Sequence, residues 1–143
     1  MVDKSLLSAK VAAIRDAVAR IRAVLPPDPK TFEGDRTARE VVVLNLFVAL
    51  QECLSLATHW LADEGWSVPE TYRDVFVSLG ERDVLPRELV ARLAAASGFR
   101  NLVAHQYGAL DWSRVHEIAS VHLGDLLLFC EALAGKVSAS GSG

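Results

Sequence analysis

Apolar residues recur at helical spacing from close to the N-terminus. Leu7, Val11, Ile14, Val18, Ile21 and Leu25 alternate steps of four and three, with Lys10, Arg15, Asp16, Arg20 and Arg22 falling between them. This predicts an amphipathic helix over 4–25 with Asp3 as its N-cap. Pro26, Pro27 and Pro29 stop it by removing donors and restricting their neighbours, so 28–34 is expected to be a loop. A second helix is expected from Thr37, which stands at capping-box spacing from Glu40, to about Ala62. Val41 to Leu50 is apolar nearly all round, interrupted only by Asn45, as in a helix at the centre of a bundle. Asn45, Glu52 and His59 fall seven apart and draw one thin polar line along it. Gly65 closes the segment. Ser67 and Glu70 repeat the capping-box spacing, with Pro69 in the first turn of a short helix through Tyr72, Val75, Phe76 and Leu79.

The stretch from Gly80 to Leu85 breaks the pattern, and Pro86 opens a helix carrying Leu89, Leu93 and Ala96 at core spacing. Ser97-Gly98 is expected to loosen or kink it, and Tyr107-Gly108 to end it. Asp111 is the expected cap of a last helix from Trp112 to about Ala134, with Val115, Ile118, Leu126, Phe129 and Leu133 inward. No segment alternates as a strand does. The fold class expected is all-α, an antiparallel up-and-down bundle of four long helices plus one short one. The bundle domain spans 1–137, and 138–143 is a flexible Gly/Ser tail.

Composition narrows the class further. The 143 residues are 51% hydrophobic, which suits one globular domain with a real core. The net charge of −3 offers no bulk attraction to nucleic acid, so any such binding must be local. Cys53 and Cys130 both lie in apolar helical surroundings and read as buried thiols. No unbroken apolar run approaches the roughly 18 residues of a bilayer span, and Met-Val-Asp-Lys-Ser-Leu-Leu lacks the order of a signal peptide. No membrane partner is expected, and the expected compartment is the cytoplasm. No Asp, Glu and His residues stand at metal-ligand spacing, so neither a metal nor another cofactor is expected.

Candidate chemistry gathers in one stretch, Phe99-Arg-Asn-Leu-Val-Ala-His-Gln-Tyr-Gly108. It holds a permanent cation (Arg100), a carboxamide (Asn101), an imidazole (His105) and a phenol (Tyr107). On a helix, Asn101 and His105 share a face, and so do Arg100 and Tyr107. His105 lies about 140° around the axis from Arg100. One helix therefore aims its two strongest groups at different walls, and a second copy of it could complete the arrangement.

Arg-x4-His-x-Tyr after Gly-Phe, at the C-terminal end of the fourth helix of an all-α chain this size, resembles the HEPN superfamily and, within it, the HepT-like toxins of prokaryotic toxin–antitoxin pairs. The resemblance extends over about Leu6 to Ala134, through the long 41–61 helix, Ser67-Val-Pro-Glu-Thr-Tyr72 and the apolar last helix. It implies a homodimer whose paired motif helices line a shared cleft, and metal-independent cleavage of RNA by Arg100 and His105. Asn101 is the supporting residue: it would hold the imidazole or bond the scissile phosphate. The resemblance also implies adenylylation of Tyr107 by a partner antitoxin, a minimal nucleotidyltransferase. Many such toxins carry an acidic residue midway along the second helix, where this chain reads Cys53-Leu54-Ser55-Leu56.

Taken without the resemblance, Arg100 and His105 serve equally well as a structural pair, and Tyr107 as a packed phenol. His59, His116 and His122 read as satisfied or solvent-facing. Arg82, Arg87 and Arg92 alternate with Glu81, Asp83 and Glu88 and read as a mixed solvated face. Trp60, Trp66 and Trp112 read as core or dimer-seam anchors. Two functions follow: a toxin ribonuclease silenced through Tyr107, or a non-catalytic helical module that binds a nucleotidyltransferase partner or a nucleotide.

Overall fold

The structure, a computed structural model, describes residues 3–141. Among the described residues there is no strand, and the chain folds as the expected all-α bundle. α1 (Lys4–Val24) starts where Asp3 accepts hydrogen bonds from the Ser5 and Leu6 amides, and it buries Leu7, Val11, Ile14, Val18 and Ile21. α3 (Arg36–Asp63) packs along it more extensively than on any other helix. A partly buried ion pair, Lys10 Nζ to Glu52 at 2.9 Å, links them.

Between these helices the expected loop is partly helical. α2 (Pro29–Gly34) is one short turn-and-a-half, with proline at its start and the Asp28 carboxylate capping the Lys30 amide. Proline has no amide to satisfy at this position and its φ is already helical, so the residue read as a helix breaker begins a helix instead. The purpose of α2 is Phe32, whose side chain is fully buried against Trp112 and His116, with ring centroids at 6.1 and 5.6 Å. His116 Nε2–H donates to the Pro26 carbonyl at 2.7 Å, which ties the proline linker to the last helix.

α3 begins one residue before Thr37, and its cap is Asp35, whose carboxylate accepts from the Ala38 amide at 3.0 Å. A carboxylate two residues upstream out-competes the threonine hydroxyl because it also complements the helix dipole. Gly65, at φ 76°, closes α3, with Trp66 N–H reaching back to the Leu61 carbonyl. α4 (Tyr72–Glu81) starts later than expected, capped by Thr71 on the Asp74 amide rather than by Ser67. Asp83, at φ 59°, ends it by a reversed turn from Val84 N–H to the Leu79 carbonyl. Gly80 lies inside α4 where it meets α5 (Arg87–Gln106), and a Cβ there would stand 2.7 Å from Val90 Cγ2.

α5 runs unbroken through Ser97-Gly98, where the Ser97 hydroxyl bonds the Ala94 carbonyl. A 3-10 turn, Tyr107–Ala109, follows. The last helix is not uniform: α6 (Trp112–Glu117), capped by Asp111, passes through a π-helical turn at Ile118–His122 into α7 (Leu123–Gly141). Ser120 donates to the His116 carbonyl at 2.7 Å within that turn, a side-chain bond of the kind that loosens a helical ladder. Helix continues to Gly141, into the stretch expected as a flexible tail; Ser142 and Gly143 lie outside the described residues. α3 and the Trp112–Ser138 rod are long and apolar enough to cross a bilayer by length and composition. In α3 that apolarity is spent inside the bundle, where α1, α2, α4, α5 and α7 all pack on it.

Candidate functional site

The stretch from Phe99 to Gly108 lies against α3. Phe99 is buried and anchors α5 in the core, while the polar residues after it reach the surface. Arg100 turns toward α3: its Nε donates to Gln51 Oε1 at 2.9 Å, and its guanidinium lies 5.3 Å from the Phe47 ring centroid and 4.8 Å from that of Tyr72. Two aromatic faces and one carboxamide therefore fix the fork. None of those three partners is an anion, so the charge of Arg100 stays available to a phosphate.

Asn101 meets Arg100 and not His105: its Oδ1 accepts from Arg100 Nη1 at 3.3 Å. His105 is exposed and makes no hydrogen bond or ion pair among the described residues. Arg100 and His105 are thus not brought together within one chain, as the five-residue spacing on a helix requires.

Tyr107 is placed differently from a seventh helical residue. Gln106 adopts φ −140° and ψ 44°, which breaks the helix just before it. The Tyr107 ring, 46% exposed, stands edge-wise to Trp112 with centroids 6.1 Å apart. It forms one wall of an open groove of about 370 Å³ with Glu40, Val43, Leu44, Phe47, Val103 and Ala104. Arg100 and Tyr107 still share a seam, because Phe47 supports the guanidinium at one end and lines the groove at the other.

Gln51, Phe47, Tyr72 and Trp112 are the residues sequence reasoning missed or left as core. Gln51 carried a weak signal, as a polar side chain within an apolar helix. Beside the seam, Leu44 and Val48 are exposed at 61% and 37%, large apolar surface on the most buried helix of the fold. The polar line on α3 divides: Asn45 bonds the Val41 carbonyl, Glu52 pairs with Lys10, and His59 is exposed. Among the described residues no three His, Cys, Asp or Glu side chains converge as metal ligands. Cys53 and Cys130 are both buried, and burial pushes both thiols up, Cys130 to about 11.

Comparison with known proteins agrees with this architecture. An mRNA nuclease HepT from Shewanella oneidensis is 28% identical over 127 residues, covering 89% of this chain and 95% of the relative. A crystal structure of a toxin–antitoxin with AMP-PNP superposes with a TM-score of 0.86 at 26% identity, covering 92% of this chain and 99% of that one. The tri-AMPylated Shewanella oneidensis HEPN toxin in complex with its MNT antitoxin matches with a TM-score of 0.85 at 26% identity, over 93% and 99%. Residues 14–133, nearly the whole bundle and all of the Arg100–Tyr107 stretch, match the family described as Ribonuclease HepT-like, and the chain belongs to that family.

Proposed function

We propose that this chain is the toxin of a toxin–antitoxin pair, a metal-independent endoribonuclease that acts as a homodimer and is silenced by adenylylation of Tyr107. The observation that carries the reading is that one helix end holds the Arg100 guanidinium against α3 and leaves His105 free on another face, in a fold shared with a nuclease and with an AMPylated toxin. RNA is cleaved when the ribose 2′-oxygen attacks phosphorus, forming a cyclic phosphate as the bond to the 5′-oxygen breaks. His105 takes the 2′-hydroxyl proton or supplies the one the leaving oxygen needs. Arg100 meets the negative charge that grows on the phosphoryl oxygens, from a position already fixed by Gln51, Phe47 and Tyr72.

A second copy supplies the geometry one chain lacks. The α5 residues Asn101, Ala104 and His105 and the α3 residues Leu44 and Val48 are exposed in the single chain. Pairing this surface across a two-fold axis covers the apolar residues and brings the His105 of one copy toward the Arg100 of the other. The silencing partner is a minimal nucleotidyltransferase, as the antitoxins of the structural relatives suggest. The compartment we assign is the cytoplasm.

Growth after induction tests the reading. Wild type should arrest cells, while His105→Ala should not. Tyr107→Phe should arrest them even with the antitoxin present, since it keeps the ring and loses the oxygen that accepts adenylyl. Unimpaired growth with wild type alone would favour the helical module without catalysis. A folded Tyr107→Phe chain that is inert on its own would remove the modification reading.

A further inference from the structure

Arg39 stands out among the groups that RNA cleavage does not use. Its guanidinium lies 4.9 Å from the Trp112 ring centroid, yet its Nε is buried with no acceptor. The side chain makes no hydrogen bond or ion pair among the described residues. A buried arginine nitrogen left without a partner is uncommon, and the half-buried side chain leaves its outer nitrogens open to an anion. The indole that Arg39 covers is the one the Tyr107 ring abuts. Arg36, one turn earlier on α3, is exposed and held by Glu40 at 2.9 Å. The Glu40 hydrogen bond and charge push Arg36 above its ordinary value, and Tyr107 adds a smaller pull in the same direction. Two cations of α3 therefore stand on the Tyr107 side of the site, distinct from Arg100 at the other end of the seam.

We propose that Arg39, assisted by Arg36, is the seat for the phosphate of an adenylyl group on Tyr107, and that the adenine lies in the groove between Tyr107 and Phe47. This rests on Tyr107 being the modified residue. The loading step joins Tyr107 Oη to the α-phosphorus of a nucleoside triphosphate, breaks the bond to pyrophosphate and releases the phenol proton. The product is a phosphodiester with one negative charge, which answers the unpaired guanidinium of Arg39. The tether and the groove restrict where the nucleoside can go. Tyr107 is itself a wall of the groove, whose other walls are mostly apolar: Val43, Leu44, Phe47 and Val103. Its volume of about 370 Å³ suits a small ligand, for which sites run from roughly 300 to 1,000 Å³. Phe47, another of its walls, is the ring that supports Arg100. A base seated there blocks the approach of RNA to Arg100, so the modification silences by occupying the seam and its phosphate is held where cleavage does not need a cation.

The test uses chains co-expressed with the nucleotidyltransferase antitoxin and checked for adenylyl mass by intact-mass spectrometry. Wild type, Arg39→Gln and Arg39→Lys are then treated, natively folded, with an exogenous phosphodiesterase. Arg39→Gln should lose its adenylyl group about tenfold faster than wild type, the scale of one charge-assisted hydrogen bond, with Arg39→Lys between them. Equal rates in all three loaded chains would overturn the seat and leave the modification standing. A wild-type chain that gains no adenylyl mass would overturn both. Should Arg39→Gln fail to fold by circular dichroism, Arg36→Ala, on an exposed side chain, must still release adenylyl faster than wild type, and an unchanged rate there would sink the proposal.

Discussion

Arg100 is restrained by neutral partners, which makes Gln51 a positioning residue. Arg100→Ala should abolish cleavage. Gln51→Ala should lower kcat about tenfold with little change in KM, since the guanidinium stays on Phe47 and Tyr72 but loses its fixed Nε direction. Single-turnover kinetics on one RNA would separate the two, and a pure KM effect would show that Gln51 only helps binding. The thiols make a second prediction. Burial raises Cys53 and Cys130 above the ordinary thiol value of 9.0, Cys130 to about 11, so the unfolded chain gives up these protons first. Over that interval the folded state binds more protons, and stability falls as pH rises from about 9 through 11. Melting temperatures from pH 8 upward should therefore fall less steeply in Cys53→Ala/Cys130→Ala than in wild type, whatever the cavities cost at neutral pH. Arg100, His105 and Tyr107 stood out in the sequence as candidates, because charge and chemistry on an apolar helix are conspicuous. Their partners were not: glutamine, phenylalanine and tryptophan look the same in a core as in a site, and only the α3–α5 crossing distinguishes them.

The short helices and turns carry more of the fold than their length suggests. α2 offers little surface apart from Phe32, and that ring holds Trp112 and His116 in place. Phe32→Ala should cost about 3–5 kcal/mol in chemical denaturation, the usual scale for a buried ring. The same change should also disorder the indole under Tyr107, readable as a shift in tryptophan fluorescence. Gly80→Ala should destabilise although alanine is the better helix former, because its methyl would meet Val90 Cγ2 at 2.7 Å. A gain in stability there would mean that α4 and α5 can slide apart. Periodicity found the long helices to within a few residues, since their burial is repetitive. It missed α2 and misplaced the starts of α3 and α4, where one carboxylate or hydroxyl decides the cap among several candidates within a turn. The helical run to Gly141 escaped it as well, because glycine and serine carry no apolar stripe to read.

At the scale of the molecule, the proposed shared cleft needs a second copy of the chain. His105 is exposed with no partner, Arg100 faces α3, and Leu44 and Val48 leave apolar area uncovered on the same side. Sedimentation at micromolar concentration should find a dimer, and Leu44→Asp should shift it toward monomer and reduce cleavage together. A wild-type monomer with full activity would contradict the shared cleft. Cleavage should also survive EDTA, because the proposed chemistry uses only an imidazole and a guanidinium; loss of activity restored by a divalent ion would reverse that reading.

The π-helical turn at Ile118–His122 has a consequence for how this protein tolerates change. Each α-helical residue advances about 100° and 1.5 Å, so a wide turn stores one surplus residue between two otherwise regular helices. Upstream of it, Trp112 and His116 are oriented toward Phe32; downstream, Phe129 is oriented toward Phe76. The wide turn absorbs the surplus residue, so each segment keeps its own aromatic partner. Deleting Ser120 removes the surplus residue and should let the turn relax to regular α-helix with both flanks in place, whereas inserting a residue there should twist the upstream segment by about 100° against a fixed α7. The chain with the insertion would keep its core and lose the indole floor beneath Tyr107, so single-residue insertions here should separate folding from control of the toxin.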